Sequence, residues 1–313
     1  MNLINQPRVS ILIPSYNHSA YIEKTIRSVW EQNYSNLELV IIDDGSTDNS
    51  REILARLKLV SPILMVIIEQ ENVGICRTLN RALEKSTGEI IGVLASDDIM
   101  LPGRVNQEIA QFTSLPTLKV LYTNGQFQAE NVILDDAHKS IKPYLKRGVV
   151  ATSNHILSAV PGLYIQALLI RRDFLLSVGG FDEDTGSDDW SLNIRIFKNL
   201  KPQGEFIFID RYSFLYRIHS NQMHRSGDFM GPMKRKVVRK FFSIEERSKF
   251  VCQIYVKKAF GLYSEKKFKH ASRYMYRAKY IGFAKGIPVI CLTKFGFDLP
   301  GYVYREIMKR LKK

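Results

Sequence analysis

Apolar runs and polar clusters alternate along the first hundred residues, and that alternation predicts the architecture. Val9-Ser10-Ile11-Leu12-Ile13 reads as a buried strand closed by Pro14, which needs no ladder donor. Over residues 20–32, Ile22, Ile26, Val29 and Trp30 recur at helical spacing, the mark of an amphipathic helix. Residues 37–42, 63–68 and 90–94 are three further apolar strands, with helices predicted over 49–57 and 75–85. Strands alternating with helices in this way predict a mostly parallel sheet with right-handed crossovers. Each strand ends in a polar cluster: Ser15-Tyr16-Asn17, Asp43-Asp44-Gly45-Ser46-Thr47-Asp48, Glu69-Gln70-Glu71-Asn72-Val73-Gly74 and Ser96-Asp97-Asp98. In an open parallel sheet the ligand crevice lies outside the carboxyl ends of the strands. Carboxylates gathered there suit a hard divalent ion holding a phosphorylated ligand.

The second half is less regular. A helix opens near Pro102 and runs to Phe112, and a strand follows over 119–123. Residues 131–150 are the least patterned part of the body, readable as a loop over the site or as a surface excursion. Residues 153–178 read as a short helix, a Pro161-Gly162 turn, a strand over 167–170 and a second short helix. Gly179-Gly180-Phe181-Asp182-Glu183 breaks the chain. Ser187 is placed to cap a helix whose first turn carries Asp188 and Asp189, where the helix dipole favours acids. Two strands, 205–209 and 213–218, then lead to His219.

Charge divides the 313 residues. Residues 221–313 hold 23 Lys and Arg against 6 Asp and Glu, whereas residues 1–220 hold 22 against 25. The net charge of +14 thus belongs to the tail, which reads as a basic α-helical C-terminal region over 226–313 following an α/β domain over 1–225. Tyr274, Tyr276 and Tyr280 interleave there with Arg273, Arg277 and Lys279, a pattern suited to an anionic membrane surface. A nucleic-acid partner is not expected, because metal-free acidic strand ends would repel phosphate. Cys76, Cys252 and Cys291 are too widely spaced for a disulfide framework or a zinc site. With no signal-peptide pattern and no apolar run of about 18 residues, a cytoplasmic protein is expected.

Five stretches occur in an order that resembles a known family: Ile11-Leu12-Ile13-Pro14-Ser15-Tyr16-Asn17, Asp43 to Asp48, Asn72-Val73-Gly74, Ser96-Asp97-Asp98, and Gly179 to Glu183 followed by Asp188-Asp189-Trp190. Together they look like an inverting GT-A glycosyltransferase of family 2, of the bacterial surface-polysaccharide type. The resemblance covers roughly residues 8 to 220 and implies a Rossmann-like GT-A α/β fold. A nucleotidyltransferase would instead open with a Gly-rich phosphate loop after the first strand.

Residue by residue, the resemblance implies that Pro14 and Tyr16 line the base pocket and that Asp44 accepts a hydrogen bond from base or ribose. Gly74 would let backbone approach the diphosphate at a helix N-terminus, and Arg77 would pair with a phosphate oxygen. Asp98 would bind Mn²⁺ or Mg²⁺, with Asp97 on the metal's water shell or the donor sugar and His219 completing the metal shell. The family's usual Asp-x-Asp has Ser96 at its first position here, which puts a two-carboxylate clamp in doubt. Asp189, before Trp190 and six residues before Arg195, matches the family's general base.

The reaction implied is metal-assisted, inverting transfer of a sugar from a nucleotide-diphosphate sugar, mostly UDP-linked in the family, to an acceptor hydroxyl. A lipid-linked acceptor at the cytoplasmic face of the inner membrane would fit the basic tail. The alternative is a catalytically silent nucleotide-sugar-binding sensor or scaffold protein, to which the Ser96 departure points.

Overall fold

The computed structural model describes residues 6–219 apart from 131 and 159–161, together with 227–247, 250 and 273. Two compact units divide the chain, residues 1–156 with 161–237 and residues 157–160 with 238–313. The boundary expected after residue 225 and most of the expected basic tail lie outside the described residues.

In the first unit, strand β1 (Val9–Ser15) pairs in parallel with β2 (Leu37–Asp43) and β4 (Ile90–Val93), and β2 pairs in parallel with β3 (Leu64–Glu69). Every residue of β2 and β4 is buried, the two-sided burial that makes a parallel strand a continuous apolar run. Helices α1 (Ile22–Trp30), α2 (Ser50–Leu59) and α3 (Ile75–Lys85) are the crossovers. Ile22, Ile26 and Val29 of α1 join Ile11, Ile13, Leu39 and Ile41 in the core. In the parallel register Ser15 stands opposite Asp43, and Asp43 opposite Glu69. The polar strand ends therefore line one edge of the sheet.

Beyond β4 the sheet becomes mixed. Strand β8 (Leu168–Arg171) runs antiparallel to β4 and to β6 (Val120–Ala129), while β9 (Phe206–Ile218) is parallel to β6. The order is β3-β2-β1-β4-β8-β6-β9-β5, where β5 is Ile99–Met100. Part of the unpatterned region is an added strand, β7 (Val132–Asp136), which folds back on β6. It continues into α5 (Lys142–Leu145) and α6 (Val149–Ser158), and α7 (Arg172–Ser177) follows β8. The two late strands are one. Their apparent break at Asp210-Arg211 is a bulge, since Thr123 pairs with Ile209 and Asn124 with Tyr212. Asp210 leaves the ladder to meet Lys142 at 3.0 Å and Lys146 at 2.6 Å.

In α4 (Arg104–Ser114), Arg104 and Glu108 form a fully buried i,i+4 pair at 3.1 Å. Helix α8 (Trp190–Asn199) starts later than the sequence predicts: Asp189 is its cap, so Asp188 and Asp189 precede the first turn instead of occupying it. Helix α9 spans Gly227–Phe241. In the second unit Ser243 and Glu246 form a reciprocal capping box, with Ser243 N–H donating to Glu246 at 2.6 Å and Glu246 N–H to the Ser243 hydroxyl at 3.2 Å. Among the described residues no helix is long and apolar enough to cross a membrane.

Candidate active site

The loops at the strand ends are stitched to one another. After β1, Asn17 N–H donates to the Ser46 hydroxyl at 2.9 Å, and Thr47 N–H donates back to Asn17 Oδ1 at 2.8 Å. His18 N–H donates to Ser50 Oγ, and Ser19 N–H to Asp48. Asp44 spans to the loop after β3, accepting from Gln70 Nε2 at 2.7 Å, Val73 N–H at 2.9 Å and Gly74 N–H at 3.0 Å. Asp43, Asp44 and Asp48 thus each hold loop backbone in place.

Strand β5 decides what meets Asp97 and Asp98. It follows them directly and pairs Ile99 with Leu215 and Met100 with Phe214, so the end of β9 is delivered onto the same turn. Arg217 N–H donates to Asp98 Oδ1 at 3.0 Å, and Gln166 Nε2 donates to Asp98 Oδ2 at 2.7 Å. The Arg217 guanidinium donates to the Asp97 carbonyl and, at 2.7 Å, to Thr25 Oγ1, and it lies 5.2 Å from the centre of the Tyr21 ring. Asp98 is 1% exposed, and burial, then the charge of Asp97, holds its carboxyl well above the usual range.

His219 Nε2 lies 3.0 Å from Asp97 Oδ2, and His18 Nε2 lies 3.8 Å from the same oxygen. Among the described residues, His18, Asp97 and His219 form a set whose ligand atoms all lie within 4.8 Å of one another. Two imidazoles and a carboxylate are chemically suited to a divalent transition metal, so the residues present fit the ion that the resemblance implies. Asp98, expected as a ligand, is not in this set, because both its oxygens turn inward to Gln166 and Arg217. Burial lowers the His18 pKa, with Asp97 acting in the opposite sense.

The second acidic centre is Asp188-Asp189. Asp189 Oδ1 accepts from Trp190 N–H and, at 3.3 Å, from the Ser187 hydroxyl, which fixes its orientation at the start of α8. Desolvation raises the pKa of both, and the charge of Asp189 adds to the effect on Asp188, which is pushed up to about 7. Tyr164 and Tyr216 link the centres. Their rings are 5.2 Å apart, and both phenols are raised by burial and then by the charges of Asp98 and Asp189 together. Both tyrosines thus lie within electrostatic reach of Asp98 and of Asp189.

The expected donor residues stand as follows. Pro14, half-buried, stands opposite Ile42 inside β1, which runs one residue past the end expected at this proline, and Tyr16 is 44% exposed. Gly74 has φ +89°, and a Cβ built on it meets nothing within 4 Å, so its outer side is open to a ligand. Arg77 pairs with Glu183 at 3.1 Å, tying α3 to the Gly179-to-Glu183 break. Sequence reasoning missed His18, Gln166, Tyr164 and the role of Arg217. Only His18 carried a local signal, as the residue directly after Asn17 in the β1 motif.

The strand order and acidic strand ends define a GT-A glycosyltransferase fold. Residues 10–174, more than half of the chain, match the Glycosyl transferase family 2, and the chain belongs to that family. The putative teichuronic acid biosynthesis glycosyltransferase TuaG of Bacillus subtilis (strain 168) is 40% identical over 93 residues, 30% of this chain and 37% of that protein. The chain spans about two fifths of the length of curated relatives such as this one. The mannosyltransferase PcManGT from Pyrobaculum calidifontis, in complex with GDP-Man and Mn²⁺, shares the fold with a TM-score of 0.59 at 19% identity, over 98% of this chain and 81% of that one. S. aureus TarS 1-349 in complex with UDP-GlcNAc does so with a TM-score of 0.56 at 16% identity, over 88% of this chain and 73% of that one.

Proposed function

We propose that this chain is a glycosyltransferase that moves a sugar from a nucleoside-diphosphate sugar, UDP-linked, to an acceptor hydroxyl with inversion and with the help of a divalent metal ion. The observation that carries this reading is a His-Asp-His set next to Asp98, with the charges of Asp98 and Asp189 both acting on Tyr164 and Tyr216. Polysaccharide synthesis is the setting that the likeness to TuaG supports. A peripheral site on the cytoplasmic face of the inner membrane, through the basic region over 226–313, is the location we infer from charge.

Asp97 and His219 would hold the metal ion, which when bound neutralises charge building on the departing diphosphate. The exposed Tyr16 ring is available to cover the base, and the open side of Gly74 leaves room for the diphosphate beside the N-terminus of α3. Asp189 takes the proton of the acceptor hydroxyl as that oxygen bonds to the anomeric carbon. The bond from that carbon to the diphosphate breaks on the opposite face, and its electron pair leaves with the diphosphate oxygen. Arg217 acts earlier, holding the Asp97 carbonyl and the Asp98 turn in position.

The test is release of nucleoside diphosphate by the full chain across UDP-, GDP- and dTDP-sugars, with Mn²⁺ and then with chelator. Release from a UDP-sugar that stops on chelation is the expected result. Nucleotide binding without release from any donor, with lipid-linked acceptors also supplied, would point to a silent sensor.

A further inference from the structure

We propose that His18 is a direct ligand of the metal ion, making the site a two-imidazole, one-carboxylate set. This rests on the metal-assisted reading above and adds a residue to it. Two donor atoms each about 2.1 Å from one ion stand roughly 3 to 4 Å apart. The Asp97 Oδ2 separations, 3.0 Å to His219 Nε2 and 3.8 Å to His18 Nε2, both fall in that range. The two imidazole rings meet at 90° with centroids 5.8 Å apart, an edge-on arrangement that leaves room for an ion between nitrogens where a stack would not.

His18 is held for this purpose from three sides. Its backbone N–H donates to Ser50 Oγ at 3.1 Å, and its ring meets Tyr21 edge-on at 6.0 Å. Its Nδ1 lies 2.7 Å from Ser96 Oγ. With Nδ1–H donating to that hydroxyl, Nε2 presents its lone pair toward Asp97, the arrangement in which an outer hydrogen bond fixes the tautomer of a ligating histidine. Ser96 itself is anchored, its carbonyl accepting from Thr25 Oγ1 at 2.9 Å. The serine that departs from the usual acidic motif thus orients an imidazole. His219 is stacked on Tyr21 at 4.3 Å, so one tyrosine braces both rings.

An added imidazole favours a transition-metal ion over Mg²⁺, which keeps its water and prefers oxygen ligands. The experiment is pulsed EPR of the full chain with Mn²⁺ and UDP or GDP, together with Mn²⁺ titrations of the wild type and of His18→Ala. The expected wild-type spectrum shows coupling to two imidazole nitrogens. In His18→Ala one nitrogen is lost, the Mn²⁺ dissociation constant rises about 10- to 100-fold, and Mg²⁺ competes at a smaller excess. A single coupled nitrogen in the wild type overturns the proposal even if the variant does not fold. Two retained nitrogens with unchanged affinity in His18→Ala overturn it as well. Failure of the wild type to take up Mn²⁺ with either nucleotide would instead remove the metal-assisted reading on which the inference stands.

Discussion

Asp189→Asn is expected to lower kcat by about 10²- to 10⁴-fold with donor and acceptor saturating, the usual contribution of a positioned general base. Asparagine keeps the volume and can still accept from Trp190 N–H, so α8 retains its cap while losing the group proposed to take the acceptor proton. The pH profile identifies the group. Burial raises the acid pair, with Asp188 pushed up to about 7, so the folded protein holds a proton there that an exposed aspartate would have shed. Asp189 is raised above an ordinary aspartate by burial, so wild-type kcat/KM should fall on the acid side, where that carboxyl takes up its proton. In Asp189→Asn the residual rate should lose that acid limb. Near-wild-type turnover in this variant, with the limb intact, would assign the base elsewhere.

Asp97→Ala is expected to abolish tight Mn²⁺ binding and to reduce turnover by about 10³-fold, the several kcal/mol that a metal ion contributes to stabilising a developing charge. Asp98→Asn should behave differently, although the two residues are adjacent. Both oxygens of Asp98 accept inward hydrogen bonds, from Gln166 and from Arg217 N–H, and an amide places a donor against one of those donors. The expected cost is about 1–3 kcal/mol of stability, read as a lower urea midpoint, with Mn²⁺ still bound. Calorimetric titration of Mn²⁺ into both variants separates the two roles. Loss of the metal in Asp98→Asn and its retention in Asp97→Ala would reverse the assignment.

This contrast shows where sequence reading stops. The first four strands and three helices are legible because parallel strands buried on both faces read as unbroken apolar runs, and the helices between them keep a clear apolar stripe. The later sheet is not. Residues 132–134 of β7 are apolar yet exposed, and β5 is only two residues long, so neither carries a burial pattern. Asp210 reads as a strand end because a bulge turns its carboxylate out to Lys142 and Lys146.

The same limits govern the site. A motif places Asp97 and Asp98 at a strand end, but neighbouring residues in a turn point in different directions. Which one meets the histidines and which one Gln166 and Arg217 depends on the pairing of β5 with β9, a contact between residues more than a hundred positions apart. His219 at the end of β9 and Asp189 before α8 were readable as positions from the motifs around them. Arg217, Gln166 and Tyr164 were not, because their roles exist only once β9 and the turn before β8 reach the Asp97-Asp98 loop.

The central claim is that an acceptor oxygen, activated at Asp189, displaces the diphosphate from the opposite face of one sugar. It is tested most directly by following, with proton NMR, the anomer first formed when the full chain with Mn²⁺ transfers or hydrolyses the donor it turns over. Reaction at an α-linked nucleotide sugar is predicted to yield the β anomer before any mutarotation. An α product at the earliest time points would contradict a single displacement and, with it, the role given to Asp189.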